Sequence, residues 1–245
     1  MSSIIELLRK VFKIPIILQL QNENNKLLNE IRWANVFNNT IIGSLWLKDK
    51  SFSPGTSAIG YPMFYVLFRI LNDVKPKNIL EFGLGQSSNM FYSYAAYFSQ
   101  VRVTTLEHDK EWLEFFKNDK TFPPNTKIKM VENVKILHKG FETLTIKNIL
   151  GQIDDNKYDL ILVDAPFGSK RYSRSQVLSL VPNYFDTSNF CILIDDYQRL
   201  GEKDTCKDLE DLFEKNGIIF CKGIYSGMKE FVIYCSRNLK FLTTL

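Results

Sequence analysis

The sequence predicts an α/β fold, a three-layer sandwich in which helices cover both faces of a mostly parallel sheet. Three observations predict it. From residue 77 onward, apolar runs of strand length alternate with helix-like stretches, the pattern of βαβ units. The runs YDLILVD (158–164) and FCILID (190–195) lack polar–apolar alternation, as central strands buried on both faces do. The chain then closes with two strand-like runs, 217–224 and 230–235, joined by a short Ser-Gly turn. A connection that short makes the last strand antiparallel to its neighbour.

Composition agrees with a globular protein that has a real core. The chain has 245 residues, 45% hydrophobic, 13% aromatic and 24% charged, enough for one large domain or a domain with an accessory segment. A formal net charge of +4 is too small to indicate nucleic-acid binding without a clustered patch, and it leaves anionic small substrates open. Cys191, Cys206, Cys221 and Cys235 contain no C-x-x-C pair, so they read as small buried side chains in a reducing cytosol rather than as metal ligands. No apolar run is long enough to span a bilayer. The N-terminal stretch is broken by charges and Pro15 and lacks a small-residue cleavage site, so it is not read as a signal peptide. The expected location is cytoplasmic.

Residues 1–50 differ from the rest and read as an N-terminal helical arm, with the main domain over 51–245. Ile4, Ile5, Leu7, Leu8, Val11 and Phe12 recur at helical spacing, and Leu20, Leu27, Leu28 and Ile31 form an apolar seam among Gln and Asn. The arm reads as a homodimerisation element, as a peripheral anchor at the inner face of a membrane, or as an extension packed on the domain. Pro54, Gly55 and Gly60 mark a loop, and 61–71 is an apolar helix. Strands follow at 78–82, 101–107, 134–138, 158–164, 190–195, 217–224 and 230–235. Helices are expected at 86–99, 110–118, around 141–150, at 173–185 and at 203–215. Trp33, Trp46 and Trp112 read as core or interface.

Chemistry concentrates at the strand ends. Glu81-Phe82-Gly83-Leu84-Gly85-Gln86-Ser87 follows a strand and opens a helix, where glycines let backbone approach a ligand and helix N–H groups face it. A dinucleotide fingerprint needs a third glycine beside the pyrophosphate; here Ser87 and Ser88 follow. The Glu81 carboxylate would repel a pyrophosphate but suits an amino-acid ammonium, which favours S-adenosylmethionine (SAM) over a nicotinamide cofactor. Glu107 ends the second strand, about twenty residues on, where an acid grips ribose hydroxyls. His108 and Asp109 read as helix-capping or exposed.

An E-x-G-x-G after the first strand and an acid ending the second resemble the class I SAM-dependent methyltransferases, over roughly residues 75–236. The resemblance implies a Rossmann-like, seven-stranded sheet with a reversed last strand. It implies that Glu81, Gly83 and Gly85 line the methionine part of SAM, with Ser87 where a third glycine is frequent. Glu107 would hold the ribose. Gly140 and Phe141, after the strand at 134–138, would fall at the adenine.

Asp164 ends one buried strand, and Asp195 and Asp196 end the next. Neighbouring strand ends lie about 5 Å apart, so three carboxylates there repel unless a positive group joins them. Mg²⁺ on hard oxygen ligands would resolve the conflict and lower the pKa of a substrate hydroxyl; helix or turn capping by Asp195 or Asp196 is the plainer alternative. The Ile194-Asp195-Asp196-Tyr197 stretch is similar to metal-dependent O-methyltransferases, especially those acting on sugars. The loop after Asp164 carries Lys170, Arg171 and Arg174, either a phosphate- or carboxylate-binding set or a solvated basic turn. Tyr172 and Tyr197 would pack on a sugar or rim the pocket.

The function expected is SAM-dependent O-methylation of a sugar or a sugar-linked precursor, phosphorylated or not, of a cell-surface glycan or metabolite, with Asp164 assisting proton loss. A SAM-binding interaction module without catalysis, a methyltransferase on another small anionic acceptor, and a nicotinamide oxidoreductase are the competing readings. Nucleic-acid methylation is disfavoured, because Asp164-Ala165-Pro166-Phe167 only half matches the base-modifying motif.

Overall fold

A computed structural model describes Glu6, Leu8 and residues 12–55, 58–118 and 121–245. Most of the first helical stretch, Ile4 to Val11, therefore lies outside the described residues. The N-terminal helix that is described, α1, spans Ile14–Ile41. It leads to α2 (Tyr61–Arg69), which continues into a π-helical turn.

Nine strands follow among the described residues. They are β1 (Asn78–Phe82), β2 (Arg102–Glu107), β3 (Thr126–Met130), β4 (Asn133–His138), β5 (Phe141–Ile146), β6 (Leu160–Val163), β7 (Cys191–Ile194), β8 (Phe220–Ser226) and β9 (Glu230–Ser236). Between them run α3 (Gln86–Tyr97), α4 (Lys110–Lys117), the single turn α5 (Ile149–Gln152) and α6 (Leu200–Lys215). Seven strands form one sheet in the order β3-β2-β1-β6-β7-β9-β8. The last strand, β9, is antiparallel to both neighbours, β7 and β8. The seven-stranded, mostly parallel sheet with a reversed last strand is the one expected.

The uninterrupted apolar runs are explained by burial on both faces. Along β7, Cys191 and Leu193 enter the core beneath α1, α2 and α3, while Ile192 and Ile194 enter the core beneath α6. Strand β6 divides its residues in the same way. Three of the four cysteines are buried and all are free thiols, in line with their reading as small core side chains.

Two elements differ from the sequence reading. The third strand of the main sheet is Thr126–Met130, paired parallel to β2, and not 134–138. Its Lys127 and Lys129 break the apolar pattern, as lysines on an edge strand do. The stretch 134–138 instead pairs with Phe141–Ile146 in a separate two-stranded hairpin, where a helix was expected. Thr143 and Thr145 are buried on alternate positions, a period of two that favours a strand. Lys139 and Gly140 both have positive φ, which a two-residue hairpin turn of the primed type requires. The helix expected at 173–185 is a single 3₁₀ stretch, Ser175–Leu180; Pro182 cannot donate the bond that would continue it.

The described part of the N-terminal 50 residues packs on the domain at its C-terminal end. Phe37, Ile41, Trp46 and Leu47 are part of the hydrophobic core.

Candidate functional site at the carboxyl edge of the sheet

The register of the parallel strands builds the site. Phe82 is paired with Val163, and Val163 with Ile194. Gly83, Asp164 and Asp195 therefore follow in a row at the carboxyl ends of β1, β6 and β7, where open α/β sheets bind ligands. Gly83 has φ +97°, and a Cβ there would lie 3.1 Å from the Ala165 Cβ and 3.4 Å from the Asp164 carbonyl. The glycine is needed both for its backbone angle and for the close approach of the β6 loop. Gly85 precedes α3 with open space where a side chain would be.

Glu81 lies beneath this loop and is fully buried. Its oxygens accept from the hydroxyls of Ser87 (2.6 Å), Ser88 (2.7 Å) and Thr105 (2.8 Å). Burial pushes its pKa up to about 7 against the pull of those hydroxyls. Three of roughly four lone-pair positions are filled, so Glu81 ties β1, β2 and α3 together. Ser87 serves that network too.

Glu107 is also buried, and it accepts backbone N–H groups of Leu84 (2.8 Å), His108 (2.6 Å) and Asp109 (2.7 Å). Burial raises its pKa, but the hydrogen bonds outweigh it and the net shift is downward. It stands as a carboxylate against the glycine loop. Asp109 caps α4 by accepting from the Trp112 amide. The Trp112 indole donates to the Leu84 carbonyl at 2.6 Å, so Trp112 braces the loop and is not a core residue. Phe167, exposed, meets His108 edge-on at 5.3 Å.

The three acids converge as expected: Asp164, Asp195 and Asp196 offer oxygens all within 4.8 Å of one another. The positive group among them is Arg174. It is buried, and its guanidinium donates to Asp164 (3.1 Å), to Asp196 (2.8 Å) and to the Asp195 carbonyl (2.8 Å). Arg174 was expected to bind substrate; instead it holds the acidic cluster together. Lys229 lies 3.6 Å from Asp195, and Arg199 2.9 Å from Asp196. Glu202 adds a further acid, fully buried, 3.8 Å from the Arg174 Nε. Burial and then the Asp195 charge hold the Asp164 pKa well above the usual carboxylate range. Burial likewise raises those of Asp195 and Glu202. Tyr172, Arg174 and Asp196 all have positive φ, a conformation that non-glycine residues adopt rarely and that clusters at functional sites.

The remaining expected contacts fall elsewhere. Arg171 is engaged by Asp204 and stacks over Phe141 at 4.5 Å. Lys170 is exposed on the loop. The ring of Tyr197 sits between Lys203 and Lys222, and its hydroxyl accepts from Lys222. Gly140 and Phe141 lie at the hairpin tip, whereas the residues that leave the third sheet strand are Val131 to Asn133. Sequence reasoning missed Thr105, Ser88, Trp112, Arg199, Glu202 and Lys229. Arg199 carried a short-range signal, three residues beyond Asp196; Lys229 carried none, because the β8–β9 turn brings it in.

No family model matches the sequence, and no curated protein matches it either. Solved structures do match in fold. One is a Staphylococcus aureus protein provisionally classed as a caffeoyl-CoA O-methyltransferase, 13% identical, with 85% of this chain and 99% of that one covered and a TM-score of 0.54. Another is a precorrin-6y C5,15-methyltransferase from Geobacter metallireducens GS-15, 13% identical over 77% of this chain and 95% of that one, with a TM-score of 0.50. The chain thus has the fold of the class I SAM-dependent methyltransferases.

Proposed function

We propose that the protein is a SAM-dependent O-methyltransferase whose acceptor is a sugar or sugar-linked small molecule. The observation that carries this reading is the contact between Gly83 and Asp164: the cofactor loop and the acidic cluster adjoin at one sheet edge. SAM supplies a methyl group already activated on a sulfonium, so the protein's work is positioning and proton management. The glycine loop and Glu107 hold the donor. Asp164, on the adjoining strand end, accepts the proton as the acceptor oxygen forms its bond to the methyl carbon and the carbon–sulfur pair returns to sulfur. Arg174 and Lys229 keep the neighbouring acids from repelling one another and fix their positions. Support for a sugar acceptor comes from the acid-rich edge, suited to hydroxyl groups, and from the similarity of the 194–197 stretch to sugar-modifying enzymes. Arg171, Arg174 and Tyr197 are engaged within the protein, so an acceptor phosphate would rest on Lys170.

A divalent ion fits the donor set. The three carboxylates are hard ligands, and a buried Asp195 oxygen lacks a hydrogen-bond partner. Asp164, Asp195 and Asp196 would hold Mg²⁺, which would polarise the acceptor hydroxyl. Arg174 already neutralises part of the cluster, so the ion adds to that charge balance. Thermal melts in chelator and in Mg²⁺ test this: an upward shift in wild type that Asp195→Asn removes supports the site, and identical melts refute it.

Calorimetry with SAM tests the central reading. Micromolar binding is expected, weakened about 10- to 100-fold by Glu107→Ala, the range for loss of a charged hydrogen bond. Mass spectrometry of sugar, sugar-phosphate and nucleotide-sugar acceptors should then show the gain of one methyl group. Absence of SAM binding in every condition would end the enzyme reading.

A further inference from the structure

The face of α1 that packs on the domain is well defined. Glu30 accepts the amides of Tyr61 and Met228. Trp33 meets the rings of Tyr65 and Tyr225 at 5.5 and 5.8 Å, and Phe37 and Ile41 are buried. About 100° around the helix lies a second apolar stripe of Ile17, Leu20, Leu27, Leu28 and Ile31. All five side chains are exposed, Ile31 at 57% and Leu28 at 64%. Among the described residues nothing covers them.

We propose that this stripe is the contact face of a parallel, in-register two-stranded coiled coil with a second copy of the chain. Ile17, Leu20, Asn24, Leu27, Ile31 and Ala34 follow one another at steps of three and four. This places Ile17 and Ile31 at a positions and Leu20 and Leu27 at d positions, the choice that favours two strands in parallel coils, and the half-buried Ala34 ends the seam at the last d position. Asn24 occupies the one polar a position, the device that fixes register and oligomer state at some loss of stability. Charge separates a protein partner from a lipid surface. Between residues 14 and 34 the helix carries Glu23, Glu30, Lys26 and Arg32, a balanced set without the basic polar face of membrane-surface helices. The area is also adequate. Five half-exposed aliphatic side chains bury roughly 500 Å² a side, about 1,000 Å² in all, the lower bound of a specific interface. That size gives a reversible dimer, and the seam of about two and a half heptads agrees with one.

Sedimentation equilibrium of the full chain from about 1 to about 100 µM should show a monomer–dimer equilibrium. Leu27→Asp, at a position already solvent-exposed in one copy, should weaken it by at least about 100-fold while leaving the melting temperature of the domain unchanged. Orientation is read from Ile17→Cys in a Cys221→Ser background, where the other cysteines are buried. Mild oxidation should link two chains at residue 17. In an antiparallel pair these residues would stand about 25 Å apart and would not link. A monomer at every concentration, a dimer indifferent to Leu27→Asp, or absence of the cross-link would overturn the proposal. So would a monomer that Leu27 recruits to phosphatidylserine vesicles. None of these outcomes depends on SAM binding or methyl transfer.

Discussion

Glu81 is an acid whose folded-state pKa lies near 7, above its ordinary value of 4.5. Between those two values the folded protein binds a proton that the unfolded chain has lost. Stability therefore falls as pH rises through that window, by at most about 3 kcal/mol. Glu81→Gln has no proton to lose. Denaturant unfolding of both proteins from pH 4.5 to 8 should show the wild type losing ground to the variant as pH rises; parallel curves would refute the buried carboxyl with its raised pKa. Arg174 makes the complementary case. Arg174→Met would leave Asp164, Asp196 and Glu202 without their buried cation, and about 3–5 kcal/mol of destabilisation is expected in urea unfolding. A loss below about 1 kcal/mol would show that the acids do not need it. Both residues also show what a sequence conceals. The E-x-G-x-G spacing identified Glu81 as important and placed it beside a ligand. Its hydrogen bonding by Ser87, Ser88 and Thr105 depends on β2 and α3 arriving from either side. Convergence of the three aspartates followed from strand order. That their counter-charge is an arginine ten residues past Asp164 followed only from a loop that turns back under them.

The elements that were legible are those whose burial is symmetric and whose connections are short. β1, β6 and β7 announce themselves by apolar content, β2 by its β-branched Val103, Thr104 and Thr105, and β8 and β9 by the turn between them. The hairpin of β4 and β5 was not legible as such, because FETLTIKNIL contains enough apolar residues at mixed spacing to satisfy a helical reading. Its structural role is visible in two hydrogen bonds. Thr143 donates to the Tyr172 carbonyl and Leu144 to the Ser169 hydroxyl, so the hairpin supports the loop that carries Arg174. This separates two assignments of Gly140. As a turn residue with φ +83°, Gly140→Ala should destabilise by about 1–2 kcal/mol, speed amide exchange through the hairpin and leave SAM affinity unchanged. As an adenine contact, the same substitution would weaken SAM binding with little effect on hairpin exchange. Calorimetry and hydrogen exchange on one variant decide between them.

At the scale of the molecule, the N-terminal 50 residues contain two different things. Composition divides them from the rest of the chain, and among the described residues the apolar seam is exposed. Packing divides them elsewhere: the second half of α1 and the segment after it add Phe37, Ile41, Trp46 and Leu47 to the core that α2 and α3 share. Phe37 stacks on Phe64 at 5.6 Å, and Trp46 on Phe68 at 5.3 Å. Truncating one large buried side chain of this kind costs about 2–5 kcal/mol, so four together amount to about the whole net stability of an ordinary domain, about 5–15 kcal/mol. A chain that starts at residue 13 keeps all four and should unfold as cooperatively as the full protein. One that starts at residue 51 lacks them, exposes the faces of α2 and α3, and should be insoluble or lack a cooperative transition in calorimetry. If the shorter chain instead melts sharply and binds SAM with unchanged affinity, these four side chains are an accessory layer and the domain begins at the loop before α2.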